Sequence, residues 1–180
     1  MKTWRRLRTE RVAGCRVFDL DRVLYQASDG RPPREFFVVE APDWINVIPL
    51  TDAGEVVLIR QFRFGTGSVT LEIPGGMCDP GESPEESARR ELLEESGYAA
   101  REFVPLGWVH PNPAIQNNRC HTFLAKGAHR VADPHGDPDE SFEVVLKPLS
   151  EIPELIRSGA ITHALVIAAF RKGGSGKGDW

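Results

Sequence analysis

The chain has 180 residues, 41% of them apolar and 27% charged, which suits one soluble globular domain with an extension. Its 26 acids against 22 bases give a formal net charge of −4, which offers no general attraction to nucleic acid. No apolar run approaches the roughly 18 residues of a membrane span, and the basic start MKTWRRLRTERVAG lacks the apolar core of a signal peptide.

Cys15, Cys78 and Cys120 are scattered and odd in number, so neither a zinc spacing nor a disulfide framework is expected, and a cytoplasmic home is the default. Residues 1–43 read as a separate layer. Arg16–Leu20 and much of Arg22–Tyr25 alternate with period two, Asp29-Gly30 is a turn signal, and Phe36–Glu40 is a further strand. Such a small antiparallel sheet must pack on something to be stable. Trp4 reads as a packing residue rather than a platform for a base.

A main domain is expected over 44–172. It opens with a strand at Trp44–Leu50, a turn at Thr51–Gly54 and a second strand at Glu55–Gln61. Arg63 follows; its rigid fork either holds phosphate or pairs with a local acid. Val69–Ile73 is a short strand, and its Glu72 contacts either substrate or Arg63. Ile73-Pro74-Gly75-Gly76 then joins a rigid residue to two that let backbone approach a ligand closely.

The helix after this loop carries its own punctuation. Ser83 is a good N-cap, Pro84 suits the first turn, Glu86 completes a capping box and Gly97 suits the left-handed terminating position. Ala88, Leu92 and Ser96 form an inward stripe, and Glu85–Arg89 and Glu86–Arg90 are spaced as ion pairs. Glu91, Glu94 and Glu95 fall on one side of the last turns, where the helix dipole disfavours negative charge. Acid-rich helix faces are usually just solvated. Clustered acids at the wrong end of a dipole, after a glycine loop, suggest a hard divalent cation, which takes carboxylate oxygens and keeps positions for phosphates.

Gly76, five residues, Glu82, seven residues and then Arg90-Glu91-Leu92-Leu93-Glu94-Glu95-Ser96-Gly97-Tyr98 resembles the complete signature of the Nudix hydrolases. The resemblance implies an α/β fold: an α/β/α sandwich around a mixed sheet, here preceded by the small N-terminal antiparallel sheet. It implies hydrolysis of a nucleoside diphosphate linked to another group, with Mg2+ as cofactor and Mn2+ as a substitute. By position, Glu91 and Glu95 become the main metal ligands, Glu94 shares the cluster, and the Gly75 carbonyl is a further ligand. Glu82 and Arg90 become a salt bridge holding the loop to the helix. An N-terminal sheet of this sort builds a homodimer in the ADP-ribose and nucleotide-sugar branch.

Beyond the helix, Phe103–Val109 and Cys120–Lys126 read as strands around the stiff polar loop 110–119. Pro113 lies fifteen residues beyond Tyr98, as a proline does in ADP-ribose-type members, although the loop departs from their serine-proline-glycine form. Asn112, Gln116, Asn117 and Arg119 are the candidates for reading a sugar or base; His110 reads as structural. The loop Ala128–Asp139 shows no tight histidine spacing for a transition metal. In the resembling branch an acidic loop near here supplies the general base or an extra metal ligand; Glu140 is the choice, with Asp139 and Glu143 behind it, unless Glu143 begins the strand Val144–Lys147. A short helix Ile152–Ser158 ended by Gly159, a helix His163–Lys172 capped by Thr162 with Ala164, Ile167, Ala168 and Arg171 marking its face, and a flexible tail 173–180 complete the chain.

The resulting expectation is a nucleoside diphosphate sugar pyrophosphatase, ADP-ribose included among candidate substrates, acting as a homodimer without nucleic acid or membrane partners. A nucleoside triphosphate or oxidised-nucleotide pyrophosphohydrolase is the alternative, and a non-catalytic nucleotide-binding module the distant third.

Overall fold

A computed structural model describes residues 1–136 and 140–174. The chain divides into two compact units, residues 1–43 with 110–119, and residues 44–109 with 120 onward.

The first unit is an antiparallel three-stranded sheet in the order β1 (Trp4–Gly14), β2 (Asp19–Ala27), β3 (Arg34–Glu40). The strand expected at Arg16–Leu20 begins only at Asp19. Arg16 and Val17 lie in the β1–β2 turn, closed by Cys15 N–H donating to the Phe18 carbonyl at 2.9 Å. β1 itself escaped the pattern reading because all eleven of its residues are exposed, so nothing forces its side chains to alternate. Trp4 packs edge-on against Phe36, and Phe36 against Tyr25. Loop 110–119 is bonded to the end of β3: Val39 N–H donates to the Ile115 carbonyl at 2.7 Å, and Val39 forms a parallel bridge with Gln116.

The second unit holds a mixed sheet. Its main path runs β11 (Glu143–Pro148), β5 (Glu55–Arg63), β4 (Trp44–Leu50), β9 (Cys120–Lys126), β8 (Glu102–Val109), with β6 (Ser68–Glu72) also paired to β5. β4 and β9 run parallel, with the other pairs antiparallel. A two-residue pair, β7 (Tyr98–Ala99) with β10 (His129–Arg130), stands apart.

The central strands are apolar on both faces because helices cover both. Ile45, Val47 and Val57 pack with Ala88 and Leu92 of α1 (Pro84–Ser96). Ile48, Val56 and Leu58 pack with Ile152 of α2 (Ile152–Arg157) and Val166, Ala169 and Phe170 of α3 (Ala164–Gly173). This is the expected α/β/α sandwich. Burying Leu92 completely contributes about 1.5–3 kcal/mol.

Two details of α3 differ from expectation. Its N-cap is His163, whose side chain accepts the Leu165 N–H, in place of Thr162. Its buried face is Val166, Ala169, Phe170 and Gly173, shifted from the Ala164–Ile167–Ala168–Arg171 set. Gly173 belongs to the helix and Gly174 caps it, so of the expected tail only residues 175–180 remain, and these lie outside the described residues.

Candidate active site

The glycine loop is strapped to β4. Val47 N–H donates to the Pro74 carbonyl and Ile45 N–H to the Gly76 carbonyl, both at 2.9 Å. Extended backbone alternates its bonding direction, so Gly75 turns its polar groups the other way, and its N–H donates to Glu95 Oε2 at 2.7 Å. Gly75 tolerates no side chain, since a Cβ there would stand 2.5 Å from the Ile45 carbonyl oxygen, and one on Gly76 would stand 2.3 Å from Glu91 Oε1 and displace that carboxylate.

Helix α1 forms as its caps dictate. Ser83 accepts the Glu86 N–H, and Glu86 bonds back to the Ser83 N–H at 2.7 Å. Gly97 ends the helix at φ 71°. The Glu85–Arg89 pair forms, but Glu86 is spent on its cap and the expected Glu86–Arg90 pair does not. Arg90 instead reaches Glu82, Glu91, Glu94 and the Met77 carbonyl. Ser87 also bonds Glu82 at 2.7 Å, and together with Arg90 it pins the loop to the helix. Burial opposes the Arg90 charge, yet bonds to Glu82 and Glu91 and the charge of Glu91 leave its pKa above the ordinary arginine value.

The three acids of the last turns differ. Glu95 is 6% exposed, and burial first, then the charges of Glu91 and Glu140, push its pKa well above the usual range despite the Gly75 N–H and the Arg63 charge. The Glu91 side chain is 14% exposed and is also raised, by burial first and by Glu94 and Glu140, against the bond from Arg90. The Glu94 side chain, 35% exposed, turns to Arg90. Arg90 Nη1 sits 2.8 Å from Glu91 Oε1 and 3.1 Å from Glu94 Oε2, which spreads these acids along a cation already present. Among the described residues no three His, Cys, Asp or Glu side chains converge as a ready cage for a metal ion. The donor chemistry nevertheless fits a hard cation: burial and like-charged neighbours disfavour the charge of Glu95 and the half-buried Glu91, a condition a bound cation would relieve.

Glu140 stands close enough for its charge to act on Glu91, Glu95 and Arg63. Gly136 makes room behind it, since a Cβ there would meet the Phe142 ring at 2.4 Å and Glu140 Oε2 at 3.2 Å. Glu143 begins β11 and pairs with Arg60 at 2.7 Å. Asp139 lies outside the described residues. Arg63 takes the local acid among its two options: Nε and Nη2 grip Glu72 at 2.9 and 2.8 Å. Glu72 is 1% exposed; burial works against its charge, but the bonds from Arg63 and Thr70 and the Arg63 charge hold its pKa below the ordinary range.

The loop candidates lie in the first unit. Asn117 Oδ1 accepts the Ala41 N–H at 3.4 Å, Arg119 N–H donates to Asp43, and the Asn112 carbonyl accepts from Ile115 and Gln116. His110 Nδ1 contacts the Asn118 carbonyl at 3.2 Å, the structural role expected. The pattern reading missed Thr70, Phe142 and His163; Thr70 could have been found as the residue two before Glu72 on the same strand face.

A family model described as "NUDIX domain" matches residues 42–170. The chain belongs to the NUDIX family. This NUDIX protein is 28% identical to the ADP-ribose pyrophosphatase of Bacillus subtilis (strain 168) over 163 residues, 90% of this chain and 88% of that one. It is 33% identical to a GDP-mannose pyrophosphatase of Pectobacterium atrosepticum over 137 residues, 67% of this chain and 70% of the relative. A solved structure described as "Crystal structure of ADP compounds hydrolase" matches with a TM-score of 0.81 at 26% identity, covering 94% of this chain and 91% of the other. Need for a divalent metal is general in the family. No helix among the described residues is long and apolar enough to cross a membrane.

Proposed function

We propose that this NUDIX protein hydrolyses the pyrophosphate bond of nucleoside diphosphate sugars, ADP-ribose among the candidates, to a nucleoside monophosphate and a sugar phosphate. The observation that carries the reading is the grouping of Glu91 and Glu95 on α1 behind the glycine loop, with the Gly75 N–H 2.7 Å from Glu95 Oε2 and Arg90 Nη1 2.8 Å from Glu91 Oε1. The relatives act on sugars of different bases, as their names state, so the class is assigned and not one member of it.

In this reading Glu91 and Glu95 are the main ligands of Mg2+, or Mn2+ in its place, with Glu94 sharing the cluster and the Gly75 carbonyl completing the protein's share. A bound ion would supply charge neutralisation at the pyrophosphate. Glu140 would position and deprotonate the attacking water. Arg63 presents the edge of its guanidinium that Glu72 does not use to a phosphate oxygen. Glu82 and Arg90 hold the loop and helix in place. Recognition of base and sugar is assigned to Asn112, Gln116, Asn117 and Arg119.

Homodimer formation is assigned to the N-terminal sheet, where Trp4, Leu7, Phe36 and Phe37 are exposed and apolar. Sedimentation of the purified protein tests this, and a monomer at all concentrations overturns it. The activity is tested by product analysis with Mg2+ across ADP-ribose, ADP-glucose, GDP-mannose, UDP-glucose and nucleoside triphosphates. A nucleoside monophosphate from at least one sugar is expected. Turnover of triphosphates alone would move the protein to another branch, and no metal-dependent turnover would leave a binding module.

A further inference from the structure

We propose that Phe142 is a positioning residue: its ring, seated against the bare backbone of Gly136, sets the place from which the Glu140 carboxylate serves the site. The proposal rests on the pyrophosphatase reading for what Glu140 does, but not for the seat itself.

Glu140 is exposed. An exposed glutamate side chain has several rotamers open to it, so a base on the surface needs a wall to lean on. Gly136 and Phe142 supply one. A Cβ built on Gly136 would stand 2.4 Å from Phe142 Cε2, 3.2 Å from Phe142 Cδ2 and 3.2 Å from Glu140 Oε2. The ring edge therefore fills the space that any side chain at 136 would take, and the carboxylate lies beside it over the same backbone. Gly136 lies outside the left-handed region, so it is the space, and not the backbone, that asks for a glycine here.

Both sides of this contact are anchored. Before Gly136, the Val131 and Ala132 N–H groups donate to the Gly97 carbonyl at 2.9 and 3.1 Å, and the His135 N–H donates to the Glu94 carbonyl at 2.8 Å. These bonds strap the segment to the end of α1, the helix that carries Glu91 and Glu95. After Phe142, Glu143 opens β11 opposite Arg60 of β5 and pairs with its guanidinium at 2.7 Å. The ring thus joins a segment tied to the acid-bearing helix to one tied to the sheet. The charge of Glu140 acts on Glu91, Glu95 and Arg63, so a displaced carboxylate changes its relation to all three.

Two substitutions test the seat from opposite sides. Gly136→Ala drives the ring off its place, and Phe142→Ala removes the ring. With Mg2+ and the accepted nucleoside diphosphate sugar, each should lower kcat roughly tenfold, a part of the loss expected when the base itself is removed, with KM held. Adding Gly136→Ala to Phe142→Ala should cost little more, because the atom it would strike is gone. Adding Phe142→Ala to Glu140→Gln should change kcat by no more than about twofold, since coupled residues are not additive. Without substrate, the ring should shift the NMR positions of the Gly136 α-protons, and Phe142→Ala should return them to ordinary glycine values. Wild-type kcat in Gly136→Ala, a full tenfold loss from Phe142→Ala in the Glu140→Gln background, or ordinary Gly136 α-proton positions in the wild type would each overturn the proposal. Should the wild type turn over no sugar, the pyrophosphatase reading fails, and the α-proton positions still decide the seat.

Discussion

Glu72 and Glu95 are both buried carboxylates of the same unit, yet they stand in opposite conditions. Glu72 receives the Arg63 fork and the Thr70 hydroxyl, and its pKa falls. Glu95 has one backbone N–H and two acids nearby, and its pKa rises. Burial is therefore not what separates these two acids; the supply of donors is. The satisfied acid holds an arginine in place, while the unsatisfied one has capacity for a cation.

Removing the charge at Glu95 should break the contrast most visibly. Glu95→Gln is expected to lower turnover about 1,000-fold, since a catalytic metal supplies several kcal/mol and each 1.36 kcal/mol is tenfold. It should leave metal-free Tm unchanged or raised, because it removes a buried charge, and should abolish the Tm gain on adding Mg2+. A metal-induced Tm gain that survives would remove Glu95 from the ligand set. Glu140→Gln should lower turnover about 100-fold with the Mg2+ effect on Tm retained, in the range of general-base losses; kinetics like wild type would put the base elsewhere in the loop.

Glu72→Gln tests the satisfied side and should cost about 1.5–3 kcal/mol of stability by denaturant unfolding. Because the folded pKa of Glu72 is lowered, its contribution is present above the ordinary carboxylate pKa and is lost as pH falls through the folded value. Wild type should therefore lose stability over that acid window more steeply than the variant, and parallel curves would count against the assignment. Ser83→Ala, remote from both acids, should cost about 1 kcal/mol through its cap, with kcat unchanged.

What could be read from sequence was what local chemistry decides. The caps of α1 and its Ala88–Leu92–Ser96 stripe depend on residues within one helix and its entry loop, so spacing suffices, whereas the Glu82–Arg90 bridge came from the family resemblance. The strands of the α/β/α core were legible because burial on both faces forces apolar runs. β1 was not, since an exposed arginine-rich strand leaves no periodicity. The α3 cap was misread by one residue because His163 Nδ1, and not the usual threonine hydroxyl, accepts the Leu165 N–H. The bond from Ala41 to Asn117 was not legible because it joins positions far apart in sequence.

The pairing of Val39 with Ile115 and Gln116 also sets an order of events during synthesis. The end of β3 leaves the ribosome long before loop 110–119 exists, and an unpaired strand edge is a template for the wrong partner. Arg34, Glu35 and Glu40 place charge on β3 itself, a form of protection during the wait.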